Sequence, residues 1–217
     1  MDMNTLNVSA TLNVFRLLTR PTLCLPQATI STFNHLPIPL NKAFGKYKDV
    51  DIRAVVLDKD NCFAYPKANE VYKPYEEHFQ RLREAYPGRR LLIVSNTAGA
   101  LSLDSDGSLA KAVEASTGLP VLPHSDKKPG CGSEIMEYFR KYPETGVTRP
   151  DQIAVVGDRL TTDVLMANLM GSYAVWVKDG VVPIEETSWF ARMEQKFAAA
   201  LLRRGYEAPD PVNPFDK

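Results

Sequence analysis

Short apolar segments alternate along this chain with longer stretches of helical pattern, and this alternation restricts the fold more than any other feature. The apolar segments predicted as strands are 52–57, 91–94, 153–156 and 173–177, with 120–122 as a weaker candidate. The predicted helices cover 74–86, 107–117, 131–142, 161–170 and 186–203. Short buried strands separated by helices predict an α/β fold, in which a parallel sheet carries helices on both faces.

Composition excludes several classes of protein. The chain has 217 residues, enough for one such domain but hardly for two, and its 26 basic and 26 acidic residues give no indication of a nucleic-acid partner. Three widely spaced cysteines (Cys24, Cys62 and Cys131) without a CxxC pair argue against a disulfide framework and a zinc site, and favour a reducing compartment. No apolar run approaches the ~20 residues that a membrane-spanning helix needs.

The two ends of the chain differ in composition from the middle. From Met1 to Asn41, Asp2 is the single acidic residue, alongside two arginines, several hydroxyl residues and four prolines. We interpret residues 1–49 as a targeting or membrane-contacting arm, residues 50–208 as the folded domain and residues 209–217 as a loosely attached tail. The alternative for the first segment is an arm that packs on the domain.

Polar side chains follow the predicted strands, at the edge of a parallel sheet where ligands bind. They are Asp58 and Asp60 after the first strand, Ser95 and Asn96 after the second, Asp158 and Asp163 after the fourth, and Lys127 and Lys128 before a later helix. Several carboxylates in one crevice repel each other unless a cation holds them. Because carboxylate oxygens suit Mg²⁺, and because lysine and hydroxyl groups bind a second anion, this set predicts a magnesium-dependent phosphate site.

Each of these residues also has a simpler interpretation. The first two aspartates could cap a turn, Ser95 and Asn96 could form only a turn, and Asp163 could be a surface residue near a helix start. Lys127 and Lys128 could be a solvated pair. The three histidines, His35, His78 and His124, have no partner pattern and are expected to be structural.

Four short motifs resemble those of the haloacid dehalogenase superfamily of phosphatases, in the right order. They are Asp58-x-Asp60, Ser95, Lys128-Pro129 and Gly157-Asp158-x₄-Asp163. The superfamily has a Rossmann-like core. One departure is Cys62, where the superfamily usually has Thr or Val, and we interpret it as a packed side chain.

The resemblance implies a role for each motif residue. Asp58 would be the nucleophile and Asp60 the general acid and base, while Ser95 and Asn96 would bind the phosphoryl group. Lys128 would offset negative charge, with Lys127 as a rival for that role. The Mg²⁺ ligands would be Asp58, Asp158 and the backbone carbonyl of Asp60, with Asp163 supporting them.

The spacing between motifs leaves no room for the cap domain by which many superfamily members select substrates. Asp58 and Ser95 are separated by 36 residues, and Ser95 and Lys128 by 32. An uncapped site is open, which suits a phosphate carried on something large.

The sequence around the motifs, from about residue 50 to 180, is similar to that of mitochondrial phosphatidylglycerophosphate phosphatases of fungi and plants. This resemblance implies hydrolysis of a lipid phosphate, a step toward cardiolipin, by a peripheral protein on the matrix side of the mitochondrial inner membrane. The first segment, helped by Lys42, Lys46 and Lys48, would then dock on the anionic phospholipid surface. Arg159 could contact the lipid headgroup or form a structural salt bridge.

Other functions compete with this one. An uncapped phosphatase could act on a phosphoprotein, a phosphosugar or a nucleic-acid end. A phosphoryl-accepting receiver domain also places aspartates and a lysine at strand ends, but it has no second aspartate equivalent to Asp60. A catalytically dead membrane-binding relative would have lost motif residues that are present here. The sequence leaves the oligomeric state open.

Overall fold

One parallel five-stranded sheet forms the centre of the protein. The computed structural model describes residues 16–183, 186 and 189–211. The strands are β1 Ala28–Ile30, β2 Ala54–Leu57, β3 Leu91–Ile93, β4 Ile153–Gly157 and β5 Tyr173–Val177. They lie in the order β1-β5-β4-β2-β3, and all neighbouring pairs are parallel. This order places β4 and β2 side by side at the centre, where both are fully buried.

Helices cover both faces of the sheet, which confirms the predicted α/β architecture. They are α1 Glu76–Ala85, α2 Ser108–Thr117, α3 Gly132–Lys141, α4 Leu165–Met170 and α5 Trp189–Arg203. On one face α1 and α2 pack through residues such as Phe79 and Val113. On the other face α3, α4 and α5 contribute residues such as Phe139, Met166 and Leu201. The two hydrophobic layers hold the strand ends in fixed positions.

The segment before residue 50 contributes to the same core. Its strand β1, which the apolar pattern did not predict, pairs with β5 through Ala28↔Val175 and Ile30↔Val177. After β1 the chain forms short 3₁₀ turns that bury Phe33, Leu40 and Phe44. Residues 21–49 therefore pack on the folded domain, and the expected role of residues 1–49 as a targeting or membrane-contacting arm stays a prediction. Residues 1–15 lie outside the described part of the chain.

The described residues between the motifs form no separate domain. Residues 59–94 form a loop, short turns, α1 and β3, and residues 96–127 form a loop and α2. The weaker strand candidate 120–122 makes a single bridge, between Val121 and Ile93 at the edge of the sheet. Between the motifs, where every residue is described, no cap domain is therefore present, as the spacing predicts.

After α5, the last described residues have no regular secondary structure. The carbonyl oxygen of Pro209 accepts a hydrogen bond from Gln27 Nε2 at 2.8 Å. The predicted tail 209–217 is described only to residue 211.

Candidate active site

The two central strands bring two carboxylates to the same edge of the sheet. β2 and β4 pair through Leu57↔Val156, and the Asp58 amide donates to the Val156 carbonyl at 2.9 Å. Asp58 follows β2 directly, and Asp158 follows β4 directly. Parallel neighbours that end together place the residues after them next to each other, as the sequence predicted.

A third carboxylate reaches this pair from a wide helical turn, Leu160–Val164, that precedes α4. Oxygen atoms of Asp58, Asp158 and Asp163 all lie within 4.8 Å of one another. Asp163 comes so close to the end of β4 that a Cβ at Gly157 would lie 2.3 Å from its Cγ. Only glycine at position 157 therefore permits this approach.

Lys128 is the cation in direct contact with this group. Its Nζ lies 2.5 Å from Asp58 Oδ1 and 2.6 Å from Asp163 Oδ1, and its side chain is buried. The Asn96 side-chain oxygen accepts from the Lys128 backbone amide at 2.8 Å, which fixes the loop that carries the lysine. Lys127 is exposed and does not line the cavity. Its predicted role in phosphate binding stays a prediction.

The three carboxylates carry more negative charge than one lysine balances. Burial raises the pKa of Asp58 to about 7, although Lys128 opposes this and Asp163 adds to it. Burial, Asp58 and Asp163 raise the pKa of Asp158 well above its usual value. Burial alone would lower the pKa of Lys128, but Asp163 and Asp58 raise it. Crowded, poorly ionising carboxylates around one point suit a hard divalent cation.

The Asp60 carboxylate points to a different set of partners. Its Oδ1 accepts from Lys59 Nζ at 2.6 Å and from the Lys67 amide at 2.7 Å. Its Oδ2 accepts from Thr97 Oγ1 at 3.0 Å and lies 3.4 Å from Ser95 Oγ. Burial alone would raise the pKa of Asp60, but the ion pair with Lys59 and the neighbouring donors hold it below its usual value. The Asp60 carboxylate is not part of the group formed by Asp58, Asp158 and Asp163. The predicted metal contact of Asp60 is through its backbone carbonyl, and it stays a prediction.

A cavity of about 380 Å³ opens over these groups. Its lining includes Asp58, Asp60, Asn61, Pro66, Asn96, Lys128, Asp158, Arg159, Thr162, Asp163, Val182, Glu186 and Ala191. Ser95, predicted to bind phosphate, is fully buried beneath it and contacts Asp60 and Thr97. Seven of the eight predicted site residues therefore line the cavity or lie directly beneath it, and Lys127 is the exception.

Comparison with known proteins identifies the family. The model of the family described as mitochondrial PGP phosphatase matches residues 8–182. The chain belongs to this family.

Individual relatives agree with this assignment. The mitochondrial phosphatidylglycerophosphatase of Saccharomyces cerevisiae is 53% identical over 176 residues, which cover 81% of this chain and 89% of the yeast protein. A Schizosaccharomyces pombe protein named "Probable phosphatidylglycerophosphatase, mitochondrial" is 35% identical over 78% of this chain and 83% of its own. Chronophin of Bos taurus is 32% identical over 57% of this chain and 43% of its own length. The resemblance that the four motifs indicated is confirmed.

Three residues at the site were not predicted from the sequence, and two of them, Lys59 and Thr97, contact Asp60. Lys59 is 2% exposed and donates to the Ala68 carbonyl at 2.8 Å as well as to Asp60. Thr97 joins the hydroxyl of Ser95, at 2.9 Å, to Asp60. A lysine between two aspartates would ordinarily be expected to lie in solvent. Its position between the two motif aspartates is therefore the one feature of the sequence that could have indicated a role at the site.

Asn61 is a third such residue. It adopts a left-handed backbone conformation with φ of 61°, which asparagine tolerates better than most residues. Its Nδ2 donates to Asp158 Oδ2 at 2.8 Å, and its Oδ1 accepts from the Val181 and Val182 amides. Asn61 thus joins the central carboxylates to the loop after β5.

Several other predictions about single residues have an outcome. Arg159 forms the structural salt bridge that was one of its two alternatives, with two nitrogens each 3.1 Å from an oxygen of Glu194 on α5. Cys62 is fully buried, and burial raises the pKa of its thiol well above the usual value, so it is a packed side chain. His124 is buried, and its ring nitrogens lie 2.9 Å from the Ser95 carbonyl oxygen and 2.7 Å from that of Asp126, which fits a structural role.

Proposed function

We propose that this protein is a magnesium-dependent phosphatidylglycerophosphatase that attacks the phosphate of its lipid substrate with Asp58. Membership of the mitochondrial PGP phosphatase family is the observation that carries the proposal. The site geometry supports it, since Asp58 lies at the floor of an uncapped cavity beside a buried lysine and two further carboxylates.

The proposed reaction has two steps at Asp58. A carboxylate oxygen of Asp58 attacks phosphorus in line with the ester oxygen, the bond to the glycerol oxygen breaks, and that oxygen takes a proton from Asp60. Water then attacks the aspartyl-phosphate, Asp60 accepts its proton, and the bond between Asp58 and phosphorus breaks to release phosphate. The net result is phosphatidylglycerol and inorganic phosphate.

The contacts of Asp60 favour one of its two roles. Its lowered pKa keeps the carboxylate ionised, which is the form that can accept a proton from water in the second step. Donation in the first step requires the protonated form, and therefore a weakening of its contacts with Lys59 and Thr97 when substrate enters.

The charged residues have distinct proposed tasks. Asp58 and Asp158 would hold Mg²⁺ together with the Asp60 carbonyl, and Asp163 would support them, because oxygen donors close together fit this ion. When bound, the ion would neutralise the carboxylates and the developing charge on phosphate. Lys128 would offset charge between Asp58 and the phosphoryl group, and Ser95 and Asn96 would contact the phosphoryl oxygens.

We further propose that the protein acts as a peripheral protein on the anionic lipid surface of the mitochondrial inner membrane, on its matrix side. Two relatives are named as mitochondrial proteins, and the described residues form no cap over the cavity that would exclude a substrate held in a bilayer. Among the described residues, no helix is both long and apolar enough to span a bilayer.

Phosphate release from phosphatidylglycerophosphate in detergent micelles tests the proposal. We expect turnover with Mg²⁺, loss of turnover with a chelator, and much slower hydrolysis of soluble phosphoproteins, phosphosugars and nucleic-acid ends. The variant Asp58→Asn should be inactive but folded. A long-lived phosphoenzyme of the unaltered protein would indicate a receiver domain instead of a phosphatase. Equal or faster hydrolysis of a soluble ester would contradict the lipid specificity, and turnover by Asp58→Asn would contradict the assigned nucleophile.

A further inference from the structure

Helix α5 presents large apolar side chains to solvent. Trp189, Phe190, Met193 and Phe197 are 61%, 67%, 47% and 46% exposed. At about 100° per residue, these four side chains fall within one sector of about 100° around the helix axis. We call this sector the apolar flank. The core of the protein is covered by a different sector of the helix, through Ala198 and Leu201.

Basic residues lie beside the apolar flank. Residues 189–204 contain four basic residues and one acidic residue, Glu194, which is paired with Arg159. Arg192, Lys196 and Arg203 are exposed, and their spacing places them in the sector that adjoins the flank on the side away from the core. A helix with an apolar sector bordered by cations has the pattern of one that lies in a membrane interface.

The same helix is anchored at the active site. Glu194 accepts from the Leu160 amide at 3.3 Å and from Arg159 and Thr161, so α5 is fixed to the turn that carries Asp163. Ala191, in its first turn, lines the cavity. A surface that bound the apolar flank would therefore lie beside the opening of the site.

The lysines suggested from the sequence as docking residues lie elsewhere. Asn41 bonds to Val50 and Ile52 just before β2, and Phe44 packs on Tyr173 at the start of β5. Lys42, Lys46 and Lys48 are therefore near the amino ends of the strands, at the edge opposite the site. They are poorly placed to bring the cavity to a lipid.

We infer that the apolar flank of α5, with Arg192, Lys196 and Arg203, is the surface by which the protein lies on an anionic lipid bilayer. This inference rests on the proposed function, because it supplies the approach of a lipid-borne phosphate to the site. Aromatic side chains and arginine or lysine stems suit the boundary between headgroups and acyl chains. The positive border complements anionic lipid. In an antiparallel symmetric contact between two copies, the basic sectors would lie on the same side of the interface and repel each other.

Vesicle co-sedimentation of the full chain tests this surface. The probes are phosphatidylcholine vesicles with and without phosphatidylserine, which is neither substrate nor product of the proposed reaction. We expect Phe190→Ser/Phe197→Ser and, separately, Arg192→Gln/Lys196→Gln to weaken binding to the anionic vesicles by about tenfold or more. The control is Leu109→Ser, which removes an exposed leucine on α2, on the other face of the sheet.

Activity measurements separate this inference from the proposed function. The same variants should hydrolyse a soluble phosphomonoester at the unaltered rate and should lose turnover on lipid substrate in vesicles. If the unaltered protein binds anionic vesicles through α5 but does not hydrolyse the lipid, the proposed function fails and the docking surface stands. Unchanged vesicle binding by both double variants would overturn the inference, and if a dimer is lost at the same time, the flank covers a second copy of the chain. Melting temperatures equal to that of the unaltered protein confirm that these surface changes leave the fold intact.

Discussion

Two adjacent lysines before Pro129 have opposite environments. Lys128 is buried against Asp58 and Asp163, whereas Lys127 is exposed. They form a matched pair of residues, because the same substitution in each removes the same charge from neighbouring positions of one loop.

We expect Lys128→Met to reduce phosphate release by about a hundredfold or more, since the cation beside the nucleophile is lost. Lys127→Met should change turnover by less than about tenfold, since its charge lies outside the buried group. Steady-state phosphate release from micellar substrate measures both. A larger loss for Lys127→Met than for Lys128→Met would contradict the assigned roles.

Single positions also mark where prediction from the sequence ends. Asp58, Asp158 and Asp163 could be placed together because each follows a strand of the same parallel sheet. The orientation of the Asp60 carboxylate could not be predicted, because it depends on Lys59, whose burial no periodic pattern indicates. Contacts between loops are decided by packing that short motifs do not encode.

At the scale of elements, a buried carboxylate joins the loop after β3 to α2. Asp104 accepts from the Gly99 amide at 2.8 Å, from the Leu109 amide at 2.9 Å and from the Ala110 amide at 2.8 Å. Burial alone would raise the pKa of Asp104, but these three donors hold it below its usual value. The loop begins with Ser95 and Asn96, so Asp104 also stabilises the residues under the cavity.

Replacement of the Asp104 carboxylate should lower the stability of the folded protein. We expect Asp104→Ala to lower the free energy of unfolding by about 3 kcal/mol, because it leaves three amides near the core without their acceptor. Asp104→Asn should cost less, since one oxygen remains to accept. Urea denaturation followed by fluorescence measures the difference. The control is Asp106→Ala, which removes an exposed carboxylate that accepts from the Ser108 amide in the same loop and should cost clearly less than Asp104→Ala. Equal losses for Asp104→Ala and Asp106→Ala would contradict the expectation.

Elements with a clear period were predicted well, and the exceptions have physical reasons. Strand β1 has three residues between Pro26 and Pro37, too few to show alternation, and its place is decided by pairing with β5. The predicted helix 161–170 is divided into a wide turn and α4, because the Val164 amide bonds to the Arg159 carbonyl, one residue further back than in an α-helix. That extra residue in the turn has no sequence signature.

At the scale of the whole molecule, the acid group links folding to pH and to metal. An acid whose pKa is higher in the folded than in the unfolded chain stabilises the fold while protonated, and this contribution is lost as the pH rises through the folded pKa. For Asp58 the window runs from its usual value of 3.8 to about 7. Asp158 shifts in the same direction. Without metal, these groups should destabilise the folded protein progressively across that window.

Mg²⁺ should reverse this loss, because it binds the ionised carboxylates and competes with protons. We expect the rise in melting temperature on addition of Mg²⁺ to be small at about pH 5 and larger at about pH 8. Thermal unfolding with MgCl₂ and with a chelator at each pH measures it. Asp158→Asn should reduce the effect. A rise that is the same at both pH values, or the same in that variant, would argue against a metal held by these carboxylates.

The position of β1 at the edge of the sheet bears on how the chain can be matured. A protease that cut after residue 30 would remove an edge strand, uncover the backbone of β5 and expose the core side chains that pack with Leu25 and Ile30. Unpaired strand edges recruit other chains, so the product would tend to aggregate. Cleavage of an import signal compatible with this fold must therefore fall upstream of Ala28.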